Sequence, residues 1–359
     1  MVSSPSVTEA HLILENGKKF KGKIFGAVKS VSGEVVFNTG MVGYPETLTD
    51  PSYKGQILVS TYPMMGNYGV PSFYEANTLK EHFESDKIQV NAYVVSEISE
   101  LFHHWNGAQN IDSWFKNSGV TGLAGIDTRT LTKILRESGT MLGRIVVGNS
   151  QVKLYDPAKH DLIQEVTTPM VQNFGKGKKK ILLIDCGCKN RIIHHLLRND
   201  YSVKLVPYDH DISKEEFDGL VISNGPGNPE MYPKLIENVK KIFAKNKPML
   251  GICMGHQIIS MAAGAKTFKL KYGHRSQNQP VIDEKTKQCF ITSQNHGYAM
   301  DTKSLPDDWE PWFTNLNDGT NEGIIHKKKP FMSVQFHPEA APGPVDTAFI
   351  FDKFLRVLK

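Results

Sequence analysis

The chain has 359 residues, 40% hydrophobic, 22% charged and 9% aromatic. That is enough apolar surface for large cores; it excludes a wholly disordered or fibrous protein, and at roughly 100 to 200 residues per domain it predicts two domains. The 42 Lys and Arg against 37 Asp and Glu leave a net charge of +5, gathered in short runs at 176–180 and 327–329 without the interleaved aromatics of a nucleic-acid face, so solvated loops and no nucleic-acid partner are expected.

In chain order, residues 11–15 alternate apolar and polar before an Asn16-Gly17 turn, as in a β-hairpin. Further extended stretches fall at 34–38, 56–61, 90–96 and 144–147. Helical spacing appears at 111–117 and again from Asp127, an expected N-cap, to Gly139, an expected stop. Residues 1–150 therefore read as a smaller, strand-rich α/β or α+β domain. Over 151–178 the periodicity fades into Pro, Gly and charged residues, which predicts a linker.

From 179 the rhythm changes. Continuous apolar runs at 180–185, 203–207, 219–223 and 249–252 alternate with helical stretches at 190–199, 232–245 and 255–263; an apolar strand at 332–336 and a final helix at 346–358 follow. Such alternation implies parallel strands buried on both faces, so residues 179–359 are expected to form a doubly wound, mostly parallel α/β sheet with its ligands beyond the carboxyl ends of the strands.

Cysteines 186, 188, 253 and 289 are too few and irregular for a disulfide framework, and Cys186-Gly-Cys188 lacks the two-residue spacer of a redox or zinc pair. The first ten residues lack the features of a secretory signal or transit peptide, and the most apolar stretch, 250–265, is too short to span a bilayer. A cytoplasmic chain with no membrane partner is expected.

Chemistry concentrates at three motifs. Gly251-Ile-Cys253-Met-Gly255 places a nucleophile between glycines, after a buried run and before a helix, which is the pattern of a nucleophile elbow. A sulfur at a helix N-terminus is favoured as the thiolate, and the Met254 amide would face a developing oxyanion. On the pentapeptide alone, a cysteine packed as a small hydrophobe is the alternative. In His337-Pro338-Glu339 the proline disfavours helix for His337, so that His337 and Glu339 project to one side of an extended backbone and the carboxylate can orient the imidazole as a base. His256 and His296 compete for that role, but neither has a carboxylate at the same sequence spacing. Asn224-Gly-Pro-Gly227 follows a strand at the same sheet edge, where backbone amides could approach a ligand; an ordinary turn is the other reading.

Taken together, Asn-Gly-Pro-Gly, Gly-Ile-Cys-Met-Gly-His-Gln, Gln-Asn-His-Gly and His-Pro-Glu resemble the class I (triad) glutamine amidotransferases, a flavodoxin-like fold. Residues 265–270, 274–280 and 338–344, with 34–46 and 48–53 of the first half, are similar to one branch, the small glutamine-hydrolysing chain of carbamoyl-phosphate synthetase. The resemblance implies a Cys253, His337, Glu339 triad that releases ammonia from L-glutamine through a γ-glutamyl thioester. It further implies substrate contacts at Ser52, Gly225, Gly227, Met254, Gln257, Asn295, Gly297 and Tyr298, and a first domain that docks on the synthetase and completes the glutamine site. Met254, Asn228 and Tyr298 depart mildly from the family pattern. The implied partner is a large synthetase subunit, or a fused synthetase region, that uses ATP, magnesium and bicarbonate to make carbamoyl phosphate; no cofactor or metal is assigned to this chain. A separate subunit and the amino-terminal region of a fused multienzyme both remain open, as do arginine and pyrimidine synthesis. The rival readings are a stand-alone γ-glutamyl cysteine hydrolase, an amidotransferase serving another synthetase, and a non-catalytic interaction module.

Overall fold

The computed structural model describes residues 8–72, 79, 81–198 and 200–358. The chain divides into two compact units, Met1–His160 and Asp161–Lys359.

In the first unit, β1 (Glu9–Leu14) and β2 (Lys19–Gly26) form the antiparallel hairpin expected around Asn16-Gly17. Period-two alternation turns Ala10, Leu12 and Leu14 inward. The strands β3 (Val31–Asn38), β4 (Gln56–Ser60), β5 (Met64–Met65), β6 (Ala92–Val94), β7 (Glu97–Ile98), β8 (Thr121–Ala124) and β9 (Met141–Val147) follow. Seven of these nine close into a barrel in the order β1-β2-β8-β6-β4-β3-β9, because β9 pairs antiparallel with both β1 and β3; β5 and β7 form a separate pair. The helices are α1 (Tyr44–Thr49), α2 (Ile111–Asn117) and α3 (Thr128–Ser138). As the sequence predicts, Asp127 caps α3, its carboxylate accepting from the Thr130 amide at 2.9 Å, and the chain leaves the helix at Gly139 with φ 95°.

The stretch 151–178, expected to be a linker, is instead divided between the units. Arg144 Nη1 donates to Val152 O at 2.7 Å and Ser32 Oγ to Lys153 O at 2.8 Å, tying the first part to the barrel. The second part begins the other unit: Asp185 accepts from the Thr168 amide at 2.6 Å, and β10 (Gln172–Phe174) joins the sheet. Its polar composition reflects backbone satisfied by side chains and a short edge strand rather than a free connection.

The second unit holds β11 (Lys179–Asp185), α4 (Asn190–Leu196), β12 (Tyr201–Pro207), β13 (Gly219–Ile222), α5 (Pro233–Ile242), β14 (Met249–Ile252), α6 (Met254–Ala263), β15 (Thr267–Asp283), β16 (Cys289–Met300), β17 (Trp309–Asn315), β18 (Asn321–His326), β19 (Phe331–Val334) and α7 (Phe349–Arg356). Asn199, the end of one expected helix, lies outside the described residues. The parallel strands run β12-β11-β13-β14-β19, the 2-1-3-4-5 order of a flavodoxin-like sheet. Their continuous apolar runs are buried on both faces: Leu182, Ile184, Leu220, Ile222 and Met249 pack with Val239, Ile258, Ile259 and Phe331, and the alternate residues Leu183, Val221, Leu250 and Ile252 are equally buried. Beyond β19 the sheet continues antiparallel through β18, β17, β15 and β16, and on the far edge through β10. Among the described residues no helix is long and apolar enough to cross a membrane.

Candidate active site

The carboxyl ends of β11, β13, β14 and β19 face one edge of the sheet, and the three sequence motifs all fall there. Cys253 stands between β14 and α6 with φ 53° and ψ −103°, a conformation that L side chains rarely adopt and that costs of order 1–3 kcal/mol. Two anchors hold it: the Cys253 amide donates to Val334 O at 2.9 Å and the Gly255 amide to Ser223 O at 3.0 Å. At Gly255 a β-carbon would meet Ile222 O at 2.1 Å, so the second glycine of the elbow is required by the close approach of α6 to β13. The thiol is 2% exposed, at the N-terminus of α6, with Sγ 3.7 Å from Asn295 O.

His337 follows β19, its amide bonded to Ser293 O at 2.9 Å. Nδ1 lies 2.6 Å from Glu339 Oε1, and both side chains are buried. This fixes Nδ1 as the protonated nitrogen and leaves Nε2 for the thiol; Nε2 makes no hydrogen bond among the described residues, while Cys253 acts on the ring electrostatically. Burial opposes protonation of His337, but the charges of Glu339 and Cys253 outweigh it and raise its pKa well above the ordinary histidine value. Burial likewise opposes ionisation of Glu339, and Lys189 followed by His337 outweighs it, holding the carboxyl at about 2.

Lys189 is the residue that sequence reasoning missed. It stands at the N-cap position of α4 without capping it, is 2% exposed, and places Nζ 3.1 Å from Glu339 Oε1 and 2.7 Å from Ala340 O. Its backbone is fixed by Asn224, whose Oδ1 accepts from the Lys189 amide at 3.1 Å, and the preceding loop by Asp185, whose Oδ1 accepts from Gly187 and Cys188 at 2.8 and 2.7 Å. The Asn-Gly-Pro-Gly motif thus does structural work for the triad. At Gly225 a β-carbon would meet Cys186 O at 2.1 Å, which seats this loop on the neighbouring one. Removing the lysine would leave a buried carboxylate facing only histidine, so Lys189→Met is expected to destabilise the chain by about 3–5 kcal/mol, measured as a lower urea midpoint. An unchanged midpoint would show that the ammonium is not a structural counter-ion.

The other expected site residues divide. Met254 begins α6 at the elbow, and Gly225 and Gly227 follow β13 at the same edge of the sheet; Asn295, Gly297 and Tyr298 lie on β16, whose Asn295 carbonyl approaches the thiol. Gln257 lies one turn along α6, but its amide nitrogen already donates to Tyr298 O and Gln335 Oε1, both at 3.0 Å, so Oε1 is the group it can offer a ligand. Ser52 lies in the first unit, buried in a turn capped by Asp50, whose Oδ1 accepts from its amide at 2.9 Å. Neither competing histidine is placed as the base. His256 bonds Ser333 Oγ through Nδ1 at 2.9 Å, and burial lowers its pKa to about 3. His296 holds Tyr298 O through Nδ1 at 2.8 Å; contrary to what its sequence surroundings suggest, a carboxylate does approach it, Glu322 from β18 at 3.8 Å.

The sequence profile described as glutamine amidotransferase class-I matches residues 182–357, and that described as carbamoyl-phosphate synthase small chain, CPSase domain, matches residues 12–145. The chain is 51% identical over 355 residues to the multifunctional protein CAD of Squalus acanthias, covering 97% of this chain and 16% of that protein. It is 48% identical over 355 residues to the mitochondrial carbamoyl-phosphate synthase (ammonia) of Homo sapiens, covering 98% of this chain and 24% of that protein. It is also 48% identical over 366 residues to the carbamoyl phosphate synthase arginine-specific small chain of Saccharomyces cerevisiae, covering 98% of this chain and 89% of that one. The chain therefore spans a quarter or less of the first two relatives and most of the third. With both halves matched in order and the third relative covered almost end to end, the chain belongs to the carbamoyl-phosphate synthase small-chain family, its second unit being a class-I glutamine amidotransferase domain.

Proposed function

We propose that this chain hydrolyses L-glutamine and delivers the ammonia to an ATP-dependent synthetase that makes carbamoyl phosphate. The observation that carries the reading is the buried line from Cys253 through His337 and Glu339 to Lys189, set at the N-terminus of α6. His337 takes the thiol proton through Nε2, and the thiolate attacks the side-chain amide carbon of glutamine. The amides of Met254 and Gly225 are the proposed donors to the oxyanion. Collapse of the tetrahedral adduct breaks the C–N bond, His337 protonates the departing ammonia, and a γ-glutamyl thioester remains. Water, deprotonated by His337, then releases glutamate and restores the thiol. Gly227, Gln257, Asn295, Gly297 and Tyr298 are proposed to hold the substrate, and ATP, magnesium and bicarbonate belong to the synthetase. Cysteine, histidine and glutamate are all present, which favours an active glutaminase over a member that depends on free ammonia.

The similarity to the Saccharomyces cerevisiae small chain supports a separate subunit that works with a large synthetase chain, and the similarity to CAD supports a region of a fused multienzyme. The test is glutamate release by the purified chain alone and with the cognate synthetase, ATP and bicarbonate. Slow turnover alone and a severalfold rise with the partner are expected, because a synthetase that binds the competent site better shifts its population. No glutamate in either condition would sink the glutaminase reading; equal rates would remove only the coupling.

A further inference from the structure

A second cluster of titratable groups lies outside the triad, in the antiparallel extension of the second unit. His274 on β15 and His296 on β16 are directly opposed across the strand pair, and Glu322 reaches them from β18; all three are buried, with their ligand atoms within 4.8 Å of one another. In the neutral rings the hydrogen bonds fix both tautomers. His296 Nδ1 donates to the Tyr298 carbonyl at 2.8 Å, and His274 Nε2 donates to Asp318 Oδ2 at 2.8 Å. The lone pairs of His296 Nε2 and His274 Nδ1 are therefore turned inward, at 3.8 and 3.4 Å from the same oxygen, Glu322 Oε1.

A fourth electron-rich atom joins them. Thr292 Oγ1 donates its proton to Gln279 O at 2.8 Å, so it accepts from Gln294 Nε2 at 3.1 Å; this orientation directs Gln294 Oε1 at His296 Nε2, 3.1 Å away. Two acceptors thus face each other in a buried site, a repulsive arrangement unless something positive lies between them. Among the described residues, His274 Nδ1 and Glu322 Oε2 are buried without a hydrogen-bond partner. Burial opposes protonation of His274, but Asp318 and Glu322 outweigh it and raise its pKa to about 9, so a bound ion must displace the Nδ1 proton that otherwise faces Glu322 Oε1 across 3.4 Å. That separation is close to the edge of a tetrahedron with ligand bonds of about 2.0–2.2 Å, which is roughly 3.3–3.6 Å.

We propose that His274 Nδ1, His296 Nε2 and the Glu322 carboxylate, with Gln294 Oε1 as the fourth donor, hold a structural zinc ion. Two imidazoles and a carboxylate suit zinc, and the Asp318 carboxylate and Tyr298 carbonyl are the outer partners that orient ligating histidines. The ion would bind β15, β16 and β18 together immediately behind Asn295, Gly297 and Tyr298, making the strand that faces Cys253 stiffer. No spacing motif announces this site in the sequence, since the four donors are scattered between positions 274 and 322.

The test uses the full chain with Cys253→Ser, which removes the catalytic thiol as a competing ligand, stripped with a chelator and titrated with zinc against a chromogenic competitor. One zinc per chain and a raised thermal midpoint are expected. Glu322→Gln, nearly isosteric, should weaken binding at least tenfold and abolish the thermal shift, whereas Gln294→Glu should tighten binding at least tenfold. Cobalt in place of zinc should give a d–d spectrum without thiolate charge transfer. Absence of stoichiometric zinc, binding indifferent to both substitutions, or a thiolate band from the remaining cysteines would each overturn the proposal.

Discussion

Cys253→Ser is expected to lower glutamine hydrolysis by about three orders of magnitude or more, while a synthetase partner supplied with ammonia continues to work. The loss is chemical. A hydroxyl is far harder to deprotonate than a thiol and a much weaker nucleophile at neutral pH, and the dyad is set to receive a proton from sulfur. The fold should be indifferent to the change, since the Sγ hydrogen bond to Asn295 O is long, 3.7 Å, and serine inherits the same backbone position with φ 53° and can face His337 as the thiol does. The decisive measurement is glutamate release at saturating glutamine beside a thermal melt. Retained turnover with an unchanged melt would remove Cys253 from the mechanism.

The second large effect concerns the dyad. His337→Asn removes the group proposed to carry the proton from thiol to ammonia, and a loss of about 10² to 10⁴ in turnover is expected. Glu339→Gln should cost much less, for a reason visible in the contacts: His337 Nδ1 and Lys189 Nζ both bond Oε1, at 2.6 and 3.1 Å, whereas Oε2 has no partner among the described residues. A glutamine with its oxygen in the Oε1 position keeps both contacts and the histidine tautomer; what disappears is the negative charge that stabilises the imidazolium. The acid limb of the pH profile should shift accordingly. Glu339 raises the pKa of His337, so its neutral replacement should lower that pKa and let the neutral imidazole persist to lower pH. Equal losses in the two variants would mean that the carboxylate charge, rather than its geometry, carries the effect.

The motifs that carry Cys253, His337 and Glu339 were legible because each is a local device. Glycines around a cysteine after an apolar run give the elbow, and a proline after a histidine gives the extended His-Pro-Glu. Lys189 was not legible. A lysine at the start of a helix reads as a solvated side chain, and only the tertiary fold, which turns the carboxyl ends of β11 and β19 to the same edge of the sheet, buries it against Glu339. The strands of the first unit could be read from alternation, but their closure rests on β9 pairing with β1 and β3, contacts between distant segments that no short pattern encodes. β15 and β16 escaped notice for a different reason. Many of their buried positions carry polar residues, among them His274, Arg275, Ser276, Gln294 and His296, so the hydrophobic signal that marks a strand is diluted along them.

A closed barrel wall also restricts how another protein can recognise the first unit. With every one of its seven strands paired on both sides, the barrel presents no row of unsatisfied amides and carbonyls to which a visiting chain could add a strand. Docking on the barrel must proceed through side chains and loops, and the most exposed large apolar groups among the described residues of this unit are Trp105, Leu101, Met41, Val28 and Val42, at 86%, 72%, 64%, 62% and 61% exposure. Contact through such scattered loop residues can be exchanged piecemeal between partners, so the barrel can be held constant while the surface it offers is retuned.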